Sequence, residues 1–159
     1  MYKVHQISAN KYGVEFSMLT TCKKKTYVLM QILRLIIKDT DNIVSTICGL
    51  DFNVEKVLLS IQPTILKHDT YKGLSNIVFL FSGIKKLENL IQFCGMFSEG
   101  FFSFSVPVIS IKNESFDISA ISDLEHKLEL NVYDDGTYIE ISISADLNTD
   151  ELSKTICSI

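Results

Sequence analysis

The chain has 159 residues, of which 47% are hydrophobic and 21% charged, and 15 basic against 19 acidic side chains give a formal net charge of −4. A chain of this length fits one domain whose core needs no metal ion or disulfide to hold it together. The composition is too apolar for a disordered chain, seven Gly and two Pro exclude collagen-like and proline-rich classes, and the acidic balance argues against a nucleic-acid binder.

The N-terminal half predicts a hairpin followed by a buried helix. Side chains alternate in polarity on both sides of the turn residues 10–13, which indicates two strands within residues 1–20. Polar positions at Lys24, Gln31, Arg34 and Lys38 form one helical stripe, so residues 23–38 are predicted as a helix that is apolar elsewhere. Residues 41–72 leave alternatives open: residues 43–50 suit a strand or a short helix, and residues 53–61 suit a helix that Pro63 ends.

The middle of the chain alternates between strand and helix patterns. The apolar run 76–81 predicts a central strand covered on both faces, and apolar positions from Ile84 to Cys94 predict an amphipathic helix after it. Residues 101–111 predict a strand, which Pro107 places at a sheet edge or near a bulge. Five of the ten phenylalanines fall within residues 93–104, so we expect the core to be thickest there.

The clearest local signal is a hairpin over residues 128–144. Asp135-Gly136 between two alternating runs favours a two-residue type I′ turn, which places Val132 opposite Ile139. The same register puts every apolar side chain of the two strands on one face, so the turn and the pattern agree independently. A helix start is indicated at Thr149, where acidic residues follow in the first turn.

These elements predict one α+β domain over residues 1–159 with a mostly antiparallel sheet. The sheet combines the N-terminal hairpin, a central strand and the C-terminal hairpin 128–144, packed against two or three helices. The order of the strands across the sheet does not follow from the pattern.

Charge is unevenly distributed along the chain. Residues 1–48 carry a net charge of +4, residues 49–90 carry +1, and residues 91–159 carry −9. Such an asymmetry bears on partners and on electrostatic steering, not on the fold.

The sequence predicts no catalytic residue, no cofactor and no metal site. Cysteines 22, 48, 94 and 157 form no CxxC pair, and histidines 5, 68 and 126 are widely separated, so a Cys/His site would have to be assembled by the fold. The lysines at residues 23–25 are interpreted as the solvated start of a helix. One glycine at Gly83 is too little for a phosphate-binding loop.

The functional hypothesis is a protein-binding role for the acidic hairpin. Its outward positions combine tyrosines, which often anchor interfaces, with acids that would attract a basic partner. The candidate partner-binding residues are Glu129, Tyr133, Asp134, Asp135, Tyr138 and Glu140.

A small immunity protein (antitoxin) that neutralises a toxin such as a basic nuclease fits these features. The alternatives are a secretion chaperone-like dimer that binds an effector, and a small enzyme with a fold-assembled Cys/His site. No direct contact with nucleic acid or membrane is expected, and the absence of an apolar leader predicts a cytoplasmic location.

Overall fold

The computed structural model describes residues 1–97, 100–108 and 125–159, which form one eight-stranded antiparallel sheet and four α-helices. The strands are β1 (Tyr2–Ser8), β2 (Lys11–Phe16), β3 (Asn42–Leu50), β4 (Thr64–Tyr71), β5 (Leu74–Ser82), β6 (Phe101–Pro107), β7 (His126–Tyr133) and β8 (Tyr138–Ile143). The helices are α1 (Cys22–Leu33), α2 (Asp51–Ile61), α3 (Ile84–Ile91) and α4 (Asp150–Cys157). The order across the sheet is β1-β2-β8-β7-β6-β3-β5-β4. The predicted α+β class with an antiparallel sheet is confirmed.

The predicted N-terminal hairpin is present, with a shifted turn. Val4 lies opposite Val14, and the side chains of β2 alternate between the core and solvent. The chain reverses at residues 9–10, ahead of the predicted 10–13, because Gly13 is a strand residue. Its missing side chain makes room for the His5 ring: a Cβ there would lie 2.7 Å from His5 Cε1.

Helix α1 begins at Cys22, one residue before the predicted start, and ends earlier than the polar stripe suggested. The Thr21 hydroxyl accepts a hydrogen bond from the Lys24 N–H at 3.3 Å, as expected of an N-cap. The predicted helix extended to residue 38, whereas α1 ends at Leu33 and is followed by turns closed by i→i−3 and i→i−4 hydrogen bonds. These turns still bury Ile36 and Ile37, so the apolar pattern persists beyond the helix.

Residues 41–72, for which the sequence left alternatives, form β3, α2 and β4. Strand β3 lies between β5 and β6, where its apolar side chains are covered. Helix α2 ends at Ile61, and its C-cap residue Gln62, with a left-handed φ of 49°, stands immediately before Pro63, as the sequence suggested. With this helix, the described part of the chain has four α-helices, whereas two or three were predicted.

Strand β5 is paired on both sides, as predicted for residues 76–81, but only one face is fully covered. Ile77, Phe79 and Phe81 are buried against the helices, while Val78 and Leu80 are only half-buried on the other face. Helix α3 follows but ends at Ile91, short of the predicted Cys94. The carboxylate of Asp39 accepts a hydrogen bond from the Ile84 N–H at 2.6 Å. The Ile84 N–H at the start of α3 is therefore already satisfied by Asp39 and is not available to bind an external anion.

Strand β6 lies in the interior of the sheet between β3 and β7. The register shifts between Val106 and Pro107, so the proline marks a bulge, one of the two positions predicted for it. Residues 109–111 of the predicted strand lie outside the described residues. Phe102 and Phe104 are buried, consistent with an aromatic centre of the core at this strand.

The β7–β8 hairpin has the predicted register throughout, including Val132 opposite Ile139 and Tyr133 opposite Tyr138. Asp135 and Gly136 have φ of 57° and 69°, and the Thr137 N–H donates to the Asp134 carbonyl at 2.9 Å, as in a type I′ turn. Asp134 also has a positive φ of 48°, so regular pairing ends at the tyrosines. The predicted register is thus confirmed, whereas the loop between the paired tyrosines spans residues 134–137 in place of the two residues predicted.

The buried hydrophobic side chains, Val44 apart, form one core on the helix-covered face of the sheet, and all four helices contribute to it. Helix α4 begins with the predicted Thr149 cap, whose hydroxyl accepts from the Leu152 N–H at 3.2 Å. It packs beside β1, and the Tyr2 hydroxyl donates to the Ile159 carbonyl at 2.6 Å. The two ends of the chain therefore meet at one edge of the sheet.

Candidate functional site

The six predicted partner-binding residues fall into two groups on the β7–β8 hairpin. Glu129, Tyr138 and Glu140 point to the sheet face opposite the helices, because their neighbours along each strand are buried in the core. Tyr133, Asp134 and Asp135 lie at the tip, where the hairpin leaves the sheet. The rings of Tyr133 and Tyr138 link the two groups, with centroids 5.9 Å apart.

The acids on the sheet face already have partners within the chain. Glu140 forms an ion pair with Lys11 of β2 at 2.8 Å, and the hydrogen bond and charge of Glu140 raise the pKa of that lysine. Glu129 Oε1 lies 4.0 Å from His126 Nε2. Burial, followed by the charge of Glu140, raises the pKa of Tyr138. The fold thus sets a basic N-terminal strand against the acidic hairpin, which offsets part of the negative charge assigned to this surface.

The hairpin tip carries carboxylates without such partners. Asp134 and Asp135 are both exposed. Within residues 1–97, 100–108 and 125–159, no basic nitrogen lies within 4.0 Å of either carboxylate. The positive φ angles at both residues turn the chain sharply and hold the side chains at the surface. The tip is therefore where the acidity of the hairpin is available to a partner.

A cavity of about 920 Å³ opens beside this tip. It lies between the hairpin turn, the start of α1 and the segment that joins α3 to β6. Its walls combine polar and apolar groups, including Met18, Lys25, Phe97, Phe102, Tyr133 and Asp135. A concave surface with aromatic walls and a few polar groups is typical of a binding site.

Lys25 in the cavity wall corrects the interpretation of residues 23–25 as a solvated helix start. Lys23 and Lys24 are exposed, whereas Lys25 is only 6% exposed, and its Nζ donates to the Asp135 carbonyl at 3.2 Å. The signal was present in the sequence, because Lys25 lies three and four residues before the buried Val28 and Leu29. Lys25 thereby connects α1 to the hairpin tip.

Two apolar side chains stand exposed near the cavity mouth. Strand β2 ends at Phe16, and the loop that follows exposes Met18 and Leu19 to 92% each. Met18 lines the cavity beside the hairpin tip. Side chains this exposed bury little area within the chain, so their apolar surface stands in solvent beside the cavity.

The histidines and cysteines lie in separate places. Among the described residues no hydrogen bond joins a histidine to a cysteine, and no group of three metal-binding side chains is present. His68 Nε2 lies 3.1 Å from Ser75 Oγ, and the Ser75 hydroxyl donates to Asp51 Oδ1. Ser75 is buried and stands between the other two groups, so this chain of hydrogen bonds ties β4 and β5 to the start of α2.

The four thiols are expected to differ sharply in reactivity. Burial raises the pKa of the Cys94 thiol, so it stays protonated at neutral pH, whereas Cys22 and Cys157 are exposed. Titration with Ellman's reagent should show Cys22 and Cys157 reacting rapidly in the folded protein, and Cys94 reacting only in denaturant. Alkylation followed by peptide mass mapping identifies each site, and labelling of Cys94 in the rapid phase would contradict the expectation.

The same shift carries a pH dependence of known sign. Because the folded state keeps the Cys94 proton, its contribution to stability is constant below the ordinary thiol pKa of 9.0 and falls as the pH rises above it. Replacing Cys94 with alanine removes this alkaline decline in urea unfolding experiments, whereas replacing the exposed Cys157 leaves it in place.

Comparisons with protein-family models, with curated proteins and with solved structures find no match to this chain. Among the described residues, no helix has the length and apolar character needed to cross a bilayer. The case for a function therefore depends on the residues of the site alone.

Proposed function

We propose that this chain is a cytoplasmic protein-binding domain that neutralises a basic partner protein by stoichiometric association, as an immunity protein or antitoxin neutralises its toxin. The observation that carries the proposal is the hairpin tip, where the exposed carboxylates of Asp134 and Asp135 lie beside the 39% exposed ring of Tyr133. Met18 lines the cavity beside this tip, and Leu19, the next residue of the same loop, is equally exposed. Acids steer a cationic partner, and the aromatic and apolar groups supply buried area once contact forms.

The proposal narrows the predicted set of partner-binding residues. Glu140 already pairs with Lys11, so its contribution to steering is reduced. Asp134 and Asp135 are expected to speed the encounter, while Tyr133 is expected to slow dissociation. A basic nuclease is the favoured class of partner, since such a protein presents lysines and arginines around its own substrate site.

The test uses the product of the gene that neighbours this one as the candidate toxin. The wild-type chain should rescue a host that expresses this product, and the purified proteins should associate with one-to-one stoichiometry. The double variant D134K/D135K should associate about tenfold or more slowly at low salt and protect poorly. Tyr133→Ala should instead raise the dissociation rate.

A matched control reverses the same number of charges elsewhere. Glu125 and Asp146 are exposed and lie at the opposite end of the β7–β8 hairpin from the tip. The variant E125K/D146K has the same net charge as D134K/D135K and should keep most of the wild-type association rate. Equal rates for the two double variants, or full protection by D134K/D135K, would remove the hairpin tip as the binding surface.

The secretion-chaperone alternative differs in the state of its partner. A chaperone of this kind binds an unfolded segment, and exposed Met18 and Leu19 would also suit such a client. Binding that persists when the partner is truncated to an unfolded peptide favours the chaperone, whereas binding that requires the folded partner favours the immunity protein.

A further inference from the structure

Strand β4 forms an open edge of the sheet. It pairs with β5 on one side only, and seven of its eight residues are exposed, Leu66 being the half-buried one. The opposite side presents backbone N–H and C=O groups that no other strand of the described chain uses. Such an edge is a ready template for another strand, so its side chains decide what it accepts.

The hairpin turn after β4 identifies which backbone groups face outward. Lys72 and Gly73 have φ of 51° and 77°, which indicates a two-residue type I′ turn flanked by the pair Tyr71 and Leu74. The flanking pair of such a turn exchanges hydrogen bonds, and the pattern alternates along the strand. Tyr71, Asp69 and Lys67 therefore point their backbone groups at β5, while those of Thr70 and His68 point away from it.

We propose that this edge is a dimer interface, where β4 pairs antiparallel with β4 of a second copy of this chain about a two-fold axis at His68. The two His68 residues then exchange backbone hydrogen bonds, since their N–H and C=O groups face outward. Lys67 lies opposite Asp69 of the second copy, and Asp69 lies opposite its Lys67. The two-fold axis relates these two contacts, so one dimer contains two attractive cross-strand charge pairs.

Charge selects this register over its neighbours. Lys67 and Asp69 lie 3.0 Å apart on one face, and both side chains are more than half exposed, so they are available across the interface. Moving the axis by one residue to Asp69 would still pair outward-facing backbone groups, those of His68 with Thr70 of the second copy, but it would set two aspartates opposite each other. The bulge between Ile65 and Lys67 lies outside the central pairs, so it does not interrupt them.

The other edge of the sheet lacks this self-complementarity. Strand β1 carries Lys3 and no acid, and pairing β1 with β4 of the next copy would give an open chain in place of a closed dimer. Apolar side chains of β4 itself are also exposed, Ile65 at 45% and Tyr71 at 70%. Three strands separate β4 from β7, so a dimer leaves both hairpin tips free, and the inference uses none of the residues of the proposed binding surface.

The test is the mass of the full chain by sedimentation equilibrium, from about 1 to about 200 µM. The wild type should rise towards twice its 18.0 kDa with concentration. Lys67→Asp and Asp69→Lys should each weaken association about tenfold or more, because each variant sets like charges opposite one another. An equimolar mixture of the two variants should form heterodimers, since the two aspartates of the Lys67→Asp chain then face the two lysines of the Asp69→Lys chain.

The mixture of variants distinguishes a charge pair between two chains from the Lys67–Asp69 ion pair within one chain. Neither variant can form the internal 67–69 ion pair, so recovered association reports a contact between chains. Lys3→Asp, which makes the same charge change at the other edge, should dimerise like the wild type. Hydrogen exchange of the wild-type His68 and Thr70 amides should also slow as concentration rises. A wild-type mass of 18.0 kDa throughout, or a mixture that stays monomeric, would overturn the proposal.

Discussion

Phe104→Ala is expected to lower the free energy of unfolding by about 3–5 kcal/mol. Phe104 is 1% exposed at the centre of β6, opposite Ser45 of β3 and Leu130 of β7. Truncation removes the transfer free energy of the ring and leaves a cavity that neighbours bonded into the sheet on both sides can fill only in part. Urea unfolding should show a lower midpoint with an unchanged slope.

Phe52 provides the matched control for this substitution. It is 54% exposed on α2, and its ring contacts the ammonium of Lys56 at 5.5 Å from the centroid. Phe52→Ala removes the same atoms from a largely solvated site, so the loss should stay within about 1 kcal/mol. If both variants lose the same free energy of unfolding, burial of the Phe104 ring in the sheet does not account for the loss.

The effect of Phe104→Ala should reach the candidate site. The hairpin that carries Asp134 and Asp135 is attached to the rest of the sheet by β6 on one side and β2 on the other. Loss of packing under Leu130 loosens the first of these attachments. Association with a basic partner should therefore weaken in this variant although no contact residue has changed.

Local and long-range features of this fold differ in how far they could be predicted. The register of β7 and β8 could be predicted in full, because a turn of two left-handed residues and the alternation of apolar side chains specify the same pairs. The position of β3 between β5 and β6 could not, since nothing local to β3 distinguishes one apolar neighbour from another. The short apolar run of β3 was also ambiguous between strand and helix, because periodicity alone does not distinguish the two in so short a run.

The electrostatics of the site show a similar division. The excess of acids after residue 91 was evident in the sequence, but Lys11 and Glu140 are 129 residues apart and meet only because β2 pairs with β8. Lys25 was grouped with two solvated lysines by proximity, whereas its helical position places it in the core-facing stripe. Charge counted along the chain therefore predicted the acidic hairpin but not which of its acids remain unpaired.

The conformation of the hairpin tip leads to the second large effect, at Gly136. Gly136→Ala is expected to destabilise the protein by about 2–4 kcal/mol, from two separate causes. The first is its φ of 69°, which alanine adopts at a cost of about 1–2 kcal/mol. The second is contact, since a Cβ there would lie 3.3 Å from the backbone carbonyl carbon and oxygen of Cys94. Backbone atoms of a buried residue cannot yield as a flexible side chain can.

Gly73 separates these two causes. It occupies the corresponding place in the β4–β5 turn with φ of 77°, but a Cβ there would meet nothing within 4 Å. Gly73→Ala should therefore show only the backbone cost, and Gly73→Asn should be milder because asparagine tolerates left-handed φ. Gly136→Asn relieves φ and keeps the contact, so it should remain clearly destabilised. If asparagine restores stability equally at both sites, backbone strain alone accounts for the destabilisation at Gly136. Packing of the turn against Cys94 then does not hold Asp134 and Asp135 in place.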